Sequence, residues 1–363
     1  MKIYIITGEK SGDQHASQIV YELKKQFNNI EVRAWGGNAL KSYNVKLDKH
    51  IKEINFMGFW NVIKNAFQIL NNLKQCKQNI LDFSPDLILL VDYPGFNLNI
   101  AEFASKNNFK TFYYISPKIW AWNSNRIKKI KKYIDKMFII FPFEKKYYLD
   151  RGVDVDYFGN PVLEYISKNK FNKIESEKPI ISLLPGSRKQ EIKRVLPIML
   201  EVTRLYPNYN FIISATSTLT IDYYQKYIKG YNVDILFDKQ YDLLYSSKAS
   251  IITSGTSTLE AALMNVPQIV CYKTSFFSYL IAKYLVKIKY ISLVNILLEK
   301  NVVAELIQKN LTFFNIKQNL DKILDEEIRE KMFKNYDELQ IILQKEKSVS
   351  KEIASEILKF NYS

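Results

Sequence analysis

Hydrophobic residues along this chain come in short blocks. IYII (3–6), DLILLV (86–91), TFYYI (111–115) and MFIIF (137–141) are apolar runs of strand length and read as strands buried on both faces. Between them lie longer stretches with apolar residues at helical spacing, such as 15–26 and 61–81. That alternation predicts a doubly wound α/β domain over residues 1–165. The polar stretch SKNKFNKIESEKP (167–179) reads as a linker. The pattern then restarts with PIISLL (179–184), NFIISA (210–215), ASIIT (249–253) and QIVCY (268–272), which predicts a second domain over 175–345. From about residue 316 the chain is expected to be mostly helical and charged. Two Rossmann-like domains in tandem place a cleft between them, with strand carboxyl ends pointing into it.

Composition narrows the class. With 363 residues, two domains are expected. A hydrophobic fraction of 47% and a charged fraction of 25% describe a globular protein. The two cysteines, Cys76 and Cys271, form no CxxC or Cys/His cluster, so neither a disulfide framework nor zinc is expected, and a reducing cytoplasm fits. No signal peptide and no membrane span are expected. The net charge of +15 points to an anionic partner: nucleic acid, an anionic membrane or a phosphorylated substrate. Lysine supplies most of it, and only seven residues are arginine. In so lysine-rich a chain each arginine carries information, because only its planar fork binds phosphate bidentately.

Chemistry is expected at strand ends. Asp92 follows LILLV and opens DYPGFN (92–97), so its carboxylate sits where open α/β sheets bind ligands, or else serves as a turn or helix cap. In LLPGSRKQEI (183–192) a strand runs into a turn and a helix begins near Lys189, so backbone amides and the Arg188 guanidinium could face a diphosphate. In TSGTSTLEAAL (253–263), Ser254, Gly255, Thr256, Ser257 and Thr258 form a second loop suited to an oxyanion. Glu260, read as lying in the first helical turn, either favours the helix dipole or accepts from ribose hydroxyls. Two such loops in one domain are more telling than one. In ISPKIWAWNSNR (115–126), Trp120 and Trp122 either stack on a sugar or fill the core. Asp154 and Asp156 form a DxD read as a solvated face, and no metal is expected. The opening loop TGEKSGDQHAS (7–17) matches no phosphate-loop pattern, and its acids Glu9 and Asp13 would repel an anion.

Together these segments resemble lipid-A-disaccharide synthase. GE-x-SGD, VDYPGFN, SPKIWAW, GNP (159–161), LLPGSR-x-x-EI, SGTSTLEAAL and SLVN…ELIQ occur in that family's order and span almost the whole chain. The resemblance implies a GT-B fold, with two Rossmann-like domains facing across a cleft and a C-terminal helix (346–363) returning to the N-terminal domain. It implies inverting transfer of 2,3-diacylglucosamine from UDP-2,3-diacylglucosamine to the 6-hydroxyl of 2,3-diacylglucosamine 1-phosphate, at the cytoplasmic face of the inner membrane, with no metal and no cofactor. Asp92 then matches the essential aspartate, the general base, and Arg188 is expected at the UDP phosphates. Ser254, Gly255, Thr256, Ser257, Thr258 and Glu260 match the donor loop and helix start. Asn295, Glu305 and Gln308 match further donor-site residues. Glu9, Ser11, Gly12, Asp13 and Trp122 fall on the acceptor side, where carboxylates suit sugar hydroxyls. Gly95 stands where some members carry a second aspartate, and Val294 replaces the usual proline before Asn295.

Four acyl chains need a surface as well. In NFMGFWNVIKNAFQIL (55–70) the residues Phe59, Trp60, Ile63 and Phe67 share one stripe, while Met57 and Val62 lie off it. The segment is either a helix buried on two sides or an apolar patch. With Arg126 and the lysines at 128, 129, 131 and 132, a patch would suit an anionic inner-membrane surface. The stretch 275–291 is a second candidate. The resemblance also allows a homodimer. Nucleic acid is not expected, because no RNA- or DNA-binding module is present.

Overall fold

The computed structural model describes residues 1–54, 66–121, 123–275, 279 and 289–361. The chain divides into two compact units, Met1–Pro161 with Lys345–Ser363, and Val162–Gln344. In the first, β1 (Lys2–Thr7), α1 (Lys10–Gln26), β2 (Glu31–Gly36), α2 (Asn38–Ser42), β3 (Lys46–His50), α3 (Ala66–Phe83), β4 (Leu87–Val91) and α4 (Pro94–Lys106) follow in order. Then come β5 (Lys110–Tyr114), α5 (Ile127–Tyr133), β6 (Lys136–Ile139), α6 (Pro142–Leu149) and β7 (Asp156–Tyr157). The strands form one parallel sheet in the order β3-β2-β1-β4-β5-β6-β7.

The second unit starts within α7 (Pro161–Lys168) and continues through β8 (Ile180–Leu184), α8 (Lys189–Thr203), β9 (Asn210–Ala215), α9 (Ile221–Ile228), β10 (Asp234–Phe237) and α10 (Gln240–Tyr245). It goes on with β11 (Ser247–Thr253), α11 (Thr256–Leu263), β12 (Gln268–Tyr272), α12 (Leu293–Leu298), β13 (Ala304–Ile307), α13 (Phe313–Leu324) and α14 (Glu326–Leu343). Its sheet, also parallel, runs β10-β9-β8-β11-β12-β13. The last helix, α15 (Val349–Asn361), belongs to the first unit.

The central strands are mostly apolar and buried because helices cover both faces of each sheet. On one face of the first sheet, Ile3 and Ile5 of β1 and Leu87 and Leu89 of β4 share a core with Ile19 and Leu23 of α1 and Ile353 and Ile357 of α15. On the other, Tyr4, Ile6, Ile88 and Leu90 meet Cys76 and Ile80 of α3 and Ile100 and Ala104 of α4. Ile353 and Ile357 are fully buried. Each such side chain stabilises the unit by about 1.5–3 kcal/mol, so α15 is part of the first core. Glu356 also pairs with Lys136 of β6.

Eight of the strands are those announced by apolar runs. β2, β3, β7, β10 and β13 are not, since their apolar residues are few or interrupted, as in KLDKH of β3. The stretch read as a linker packs on the second unit. Phe171 stacks on Tyr241 at 5.4 Å and 17°, and the Ile174 amide donates to Ser246 Oγ at 2.8 Å. Its many lysines and acids hide those two apolar anchors.

Strand order fixes where ligands meet each sheet. In the first unit the order reverses between β1 and β4, whose ends pair as Thr7 with Val91. In the second it reverses between β8 and β11, paired as Leu184 with Ile252. The loops that leave such neighbours part in opposite directions and open a crevice at the carboxyl edge. Those loops are Gly8–Glu9 and Asp92–Tyr93 in one unit, and 185–188 and 254–255 in the other.

Candidate functional site

At the first crevice the backbone is unusual. Asp92 and Tyr93, just past β4, have φ of +48° and +50°, the left-handed region that side chains disfavour. Pro94 then starts α4, with Tyr93 as its cap residue. The Tyr93 ring lies so close to Gly8 that a Cβ on residue 8 would strike it, which explains a glycine directly after β1. Glu9 is the cap residue of α1, yet its side chain makes no capping bond there. Burial, and secondarily the charge of Glu9, push the Tyr93 phenol up. Ser11 is half-buried in the first turn of α1 and Gly12 is buried.

Asp13, for which a sugar contact is expected, is engaged by the backbone. It is 2% exposed, and its carboxylate accepts from the backbone amides of Gly37 at 2.6 Å, Ala39 at 2.9 Å and Leu40 at 3.3 Å. It thereby satisfies the open amides at the start of α2. Gly37 has no Cβ because one would sit 2.6 Å from Asp13 Oδ2. The acid that seemed to repel an anion is a brace for the β2–α2 turn.

Around Asp92 the structure gathers residues that the sequence pattern did not single out. Its carbonyl accepts from the Tyr113 hydroxyl at 2.5 Å and from Asn97 Nδ2 at 2.7 Å. The Tyr113 phenol is pushed well up, by burial first and by the charge of Asp92 next. Arg126 acts on the same phenol in the opposite direction, and burial holds its own guanidinium below the usual range. Asp92 and Arg126 thus act on the Tyr113 phenol with opposite sign. The sequence groups Arg126 with the basic residues of a membrane-facing patch.

The SPKIWAW segment is anchored by Glu144 of α6. This fully buried carboxylate accepts from Ser116 Oγ at 2.7 Å, Trp120 Nε1 at 3.0 Å and the Phe141 amide at 3.1 Å. Burial pushes it up even so. Trp120 also meets Phe143 edge to face at 5.0 Å, so it is a packing residue. Trp122 lies outside the described residues, as do Met57, Phe59, Trp60, Val62 and Ile63 and most of 275–291. Phe67, at the start of α3, is 77% exposed, and Leu70 is 63% exposed. Asp154 is exposed, and Asp156 pairs with Lys136 at 3.3 Å.

At the second crevice β8 turns through Gly186, whose φ of +102° and whose closeness to Glu191 both require glycine. Arg188 caps α8 from an exposed position, and its Nη1 donates to Glu191 Oε1 at 2.8 Å, which orients the guanidinium. Across the crevice, Gly255 and Thr256 are exposed at the start of α11. Their neighbours hold the loop: Ser254 Oγ donates to the Ile291 carbonyl at 3.0 Å, and Thr258 Oγ1 donates to the Gly255 carbonyl at 2.9 Å.

Glu260 is the fifth residue of α11, one turn later than expected. The helix dipole is felt within the first turn, so it gives little reason for an acid here. Glu260 is held instead by Tyr241, whose hydroxyl donates at 3.0 Å, and by Gln240, which also donates to Ser257 Oγ at 3.2 Å. Burial and the adjacent Glu260 charge keep the Tyr241 phenol protonated. Gln240 and Tyr241 were not legible as site residues, because they lie 20 and 19 positions away on another helix.

Asn295 and Glu305, expected at the nucleotide, are committed to the fold. Asn295 is fully buried, and its Oδ1 accepts from the amides of Val302 at 2.8 Å and Val303 at 3.0 Å. Glu305 accepts from the amides of Ile291 at 3.0 Å and Ser292 at 2.9 Å and from Asn295 Nδ2 at 2.9 Å. They brace the Ile291–Ser292 turn, which in turn holds Ser254. Gln308 leaves β13 with φ of +52°, and its buried Nε2 has no hydrogen-bond partner. An amide donor in that state is suited to an incoming acceptor.

Comparison with known proteins gives the family and the fold. A model of the lipid-A-disaccharide synthetase family matches residues 3–359. "Lipid-A-disaccharide synthase 1" of Legionella pneumophila (strain Paris) is 36% identical over 321 residues, covering 85% of this chain and 84% of its own. The lipid-A-disaccharide synthase of Nitrosococcus oceani is 34% identical over 345 residues, covering 91% and 89%. Among solved structures, the UDP-GlcNAc 2-epimerase of Neisseria meningitidis bound to UDP-GlcNAc superposes with a TM-score of 0.66 at 16% identity, covering 99% of this chain and 100% of that one. The glycosyltransferase of kitacinnamycin superposes with a TM-score of 0.66 at 11% identity, covering 99% and 98%. At such identities the superpositions speak for the GT-B fold alone.

Proposed function

This chain belongs to the lipid-A-disaccharide synthetase family, and we propose that it transfers 2,3-diacylglucosamine from UDP-2,3-diacylglucosamine to the 6-hydroxyl of 2,3-diacylglucosamine 1-phosphate. Membership makes it a glycosyltransferase of lipid A biosynthesis, using a UDP-sugar and a glucosamine-phosphate acceptor. The proposed products are the β-1,6-linked disaccharide 1-phosphate and UDP. The donor's glycosyl phosphate is axial and the new bond equatorial, so one displacement with inversion is the simplest route.

The observation that carries this reading is Asp92, set at the crevice edge of the first sheet by a left-handed backbone. In the proposed reaction its carboxylate accepts the proton of the acceptor's 6-hydroxyl as that oxygen bonds to the anomeric carbon. The bond from that carbon to the UDP oxygen breaks, and the electron pair leaves with UDP. Arg188 and the amides that open α11 suit the growing charge on the diphosphate. Glu260, fixed by Tyr241 and Gln240, suits the ribose hydroxyls, and Gln308 Nε2 suits an oxygen of the nucleotide. Asn295, Glu305 and Asp13 act on the loops and not on the substrates.

We also propose that the protein works at the cytoplasmic face of the inner membrane. Among the described residues no helix is long and apolar enough to cross a membrane. Exposed Phe67 and Leu70 on α3 and exposed Lys128, Lys131 and Lys132 on α5 suit an anionic bilayer surface. The test is incubation of the purified protein with both lipids in mixed micelles. Disaccharide 1-phosphate and UDP in equal amounts are expected; UDP release without disaccharide would reject the acceptor.

A further inference from the structure

Asp92 and Tyr93 are consecutive non-glycine residues in the left-handed region. Such conformations cost about 1–3 kcal/mol each and persist only where the surroundings over-determine them. Here the amide of Asp92 still donates to the Tyr114 carbonyl at 2.9 Å, so the residue stays in the β4–β5 ladder up to its nitrogen. The Tyr93 ring is pressed on Gly8 and stacks on Phe96 at 5.3 Å. Between these two constraints lies the Asp92 carbonyl, which takes two side-chain donors: Tyr113 Oη at 2.5 Å and Asn97 Nδ2 at 2.7 Å.

Both donors are fully buried, one on the neighbouring strand and one on α4. The Asn97 amide also faces the Val91 carbonyl at 3.3 Å, while its own Oδ1 is buried with no hydrogen-bond partner. A buried orphan acceptor costs about 1–3 kcal/mol. An asparagine kept at that cost is kept for what its donor does.

We propose that Tyr113 and Asn97 are positioning residues of the transfer reaction: they clamp the Asp92 carbonyl, keep residues 92 and 93 left-handed, and so hold the Asp92 carboxylate where it meets the acceptor hydroxyl. The inference rests on Asp92 being the base. Burial and the Asp92 charge keep the Tyr113 phenol protonated, so the clamp persists across the working pH range.

The test compares Tyr113→Phe, Asn97→Ala and Asp92→Asn with two acceptors, the natural 6-hydroxyl lipid and its 6-thiol analogue. A thiol with an ordinary pKa near about 8.5 is partly ionised at the assay pH and needs little help from a base. With the hydroxyl acceptor, kcat of each clamp variant is expected to fall about 10- to 100-fold, as misplacement of a reacting group does. With the thiol acceptor the fall is expected to stay within about threefold, and UDP affinity should not change. Equal losses with the two acceptors, or hydroxyl transfer near wild type in both variants, would overturn the clamp. Normal hydroxyl transfer by Asp92→Asn would instead overturn the base assignment beneath it. The two failures are read from different proteins.

Discussion

Replacing Asp13 by alanine separates the two tasks that an acid in this loop could have. If it braces the β2–α2 turn, Asp13→Ala leaves the amides of Gly37, Ala39 and Leu40 without their acceptor. Gly37 and Leu40 are buried and water cannot replace the carboxylate there, while Ala39 is half-buried. Each buried amide left unpaired costs about 1–3 kcal/mol, so a loss of roughly 2–5 kcal/mol is expected for the first unit. Against a total stability of about 5–15 kcal/mol this is large, and at about 2–4 °C per kcal/mol it lowers the melting transition by roughly 4–20 °C. Scanning calorimetry measures the transition, and titration calorimetry measures UDP binding, which the proposed function assigns to the second unit and which should persist. Asp13→Asn keeps one acceptor oxygen and should fall between. An unaltered melting temperature together with a raised KM for the acceptor would refute the brace and restore the sugar contact.

Other substitutions give distinct signatures. Arg188→Ala is expected to weaken UDP binding at least about tenfold, as loss of a charge-assisted phosphate contact does, with no change in melting temperature, since its pair with Glu191 is exposed; unchanged UDP affinity by calorimetry would remove its phosphate role. Glu305→Ala should do the reverse first: it frees the amides of Ile291 and Ser292, and a thermal shift lower by several degrees should accompany any loss of UDP affinity. Glu144 gives a pH signature. Burial raises its folded-state pKa above the unfolded value, so between the two values the native state holds the extra proton, and stability falls as pH rises through that window. Urea titrations at a series of pH values should show this decline in the wild type and its loss in Glu144→Gln; a decline that persists unchanged would assign it to another group.

The division between what was legible and what was not has a physical basis. LILLV, IIT and IISLL are buried on both sides by helices, so their apolar runs stand out, and the polar residues that follow them mark the strand ends. Hence Asp92, Arg188 and the loop from Ser254 were visible as candidates. KLDKH of β3 sits at a sheet edge and shows no such run. What sequence could not show is which buried polar groups are already occupied. Asp13, Asn295 and Glu305 look like ligand contacts because they lie beside the crevice loops, but backbone amides 7 to 27 positions away take their oxygens. Conversely, Tyr113 and Tyr241 look like core tyrosines and carry no pattern that marks them. Their importance arises from where a hydroxyl lands after folding.

The most direct measurement is the turnover of Asp92→Asn with UDP-2,3-diacylglucosamine and 2,3-diacylglucosamine 1-phosphate, set beside its affinity for UDP. Loss of a general base is expected to lower kcat by about 10²–10⁴-fold, with UDP binding and melting temperature as in the wild type. Turnover within a few-fold of wild type would contradict the assignment of Asp92 as the group that takes the acceptor's proton.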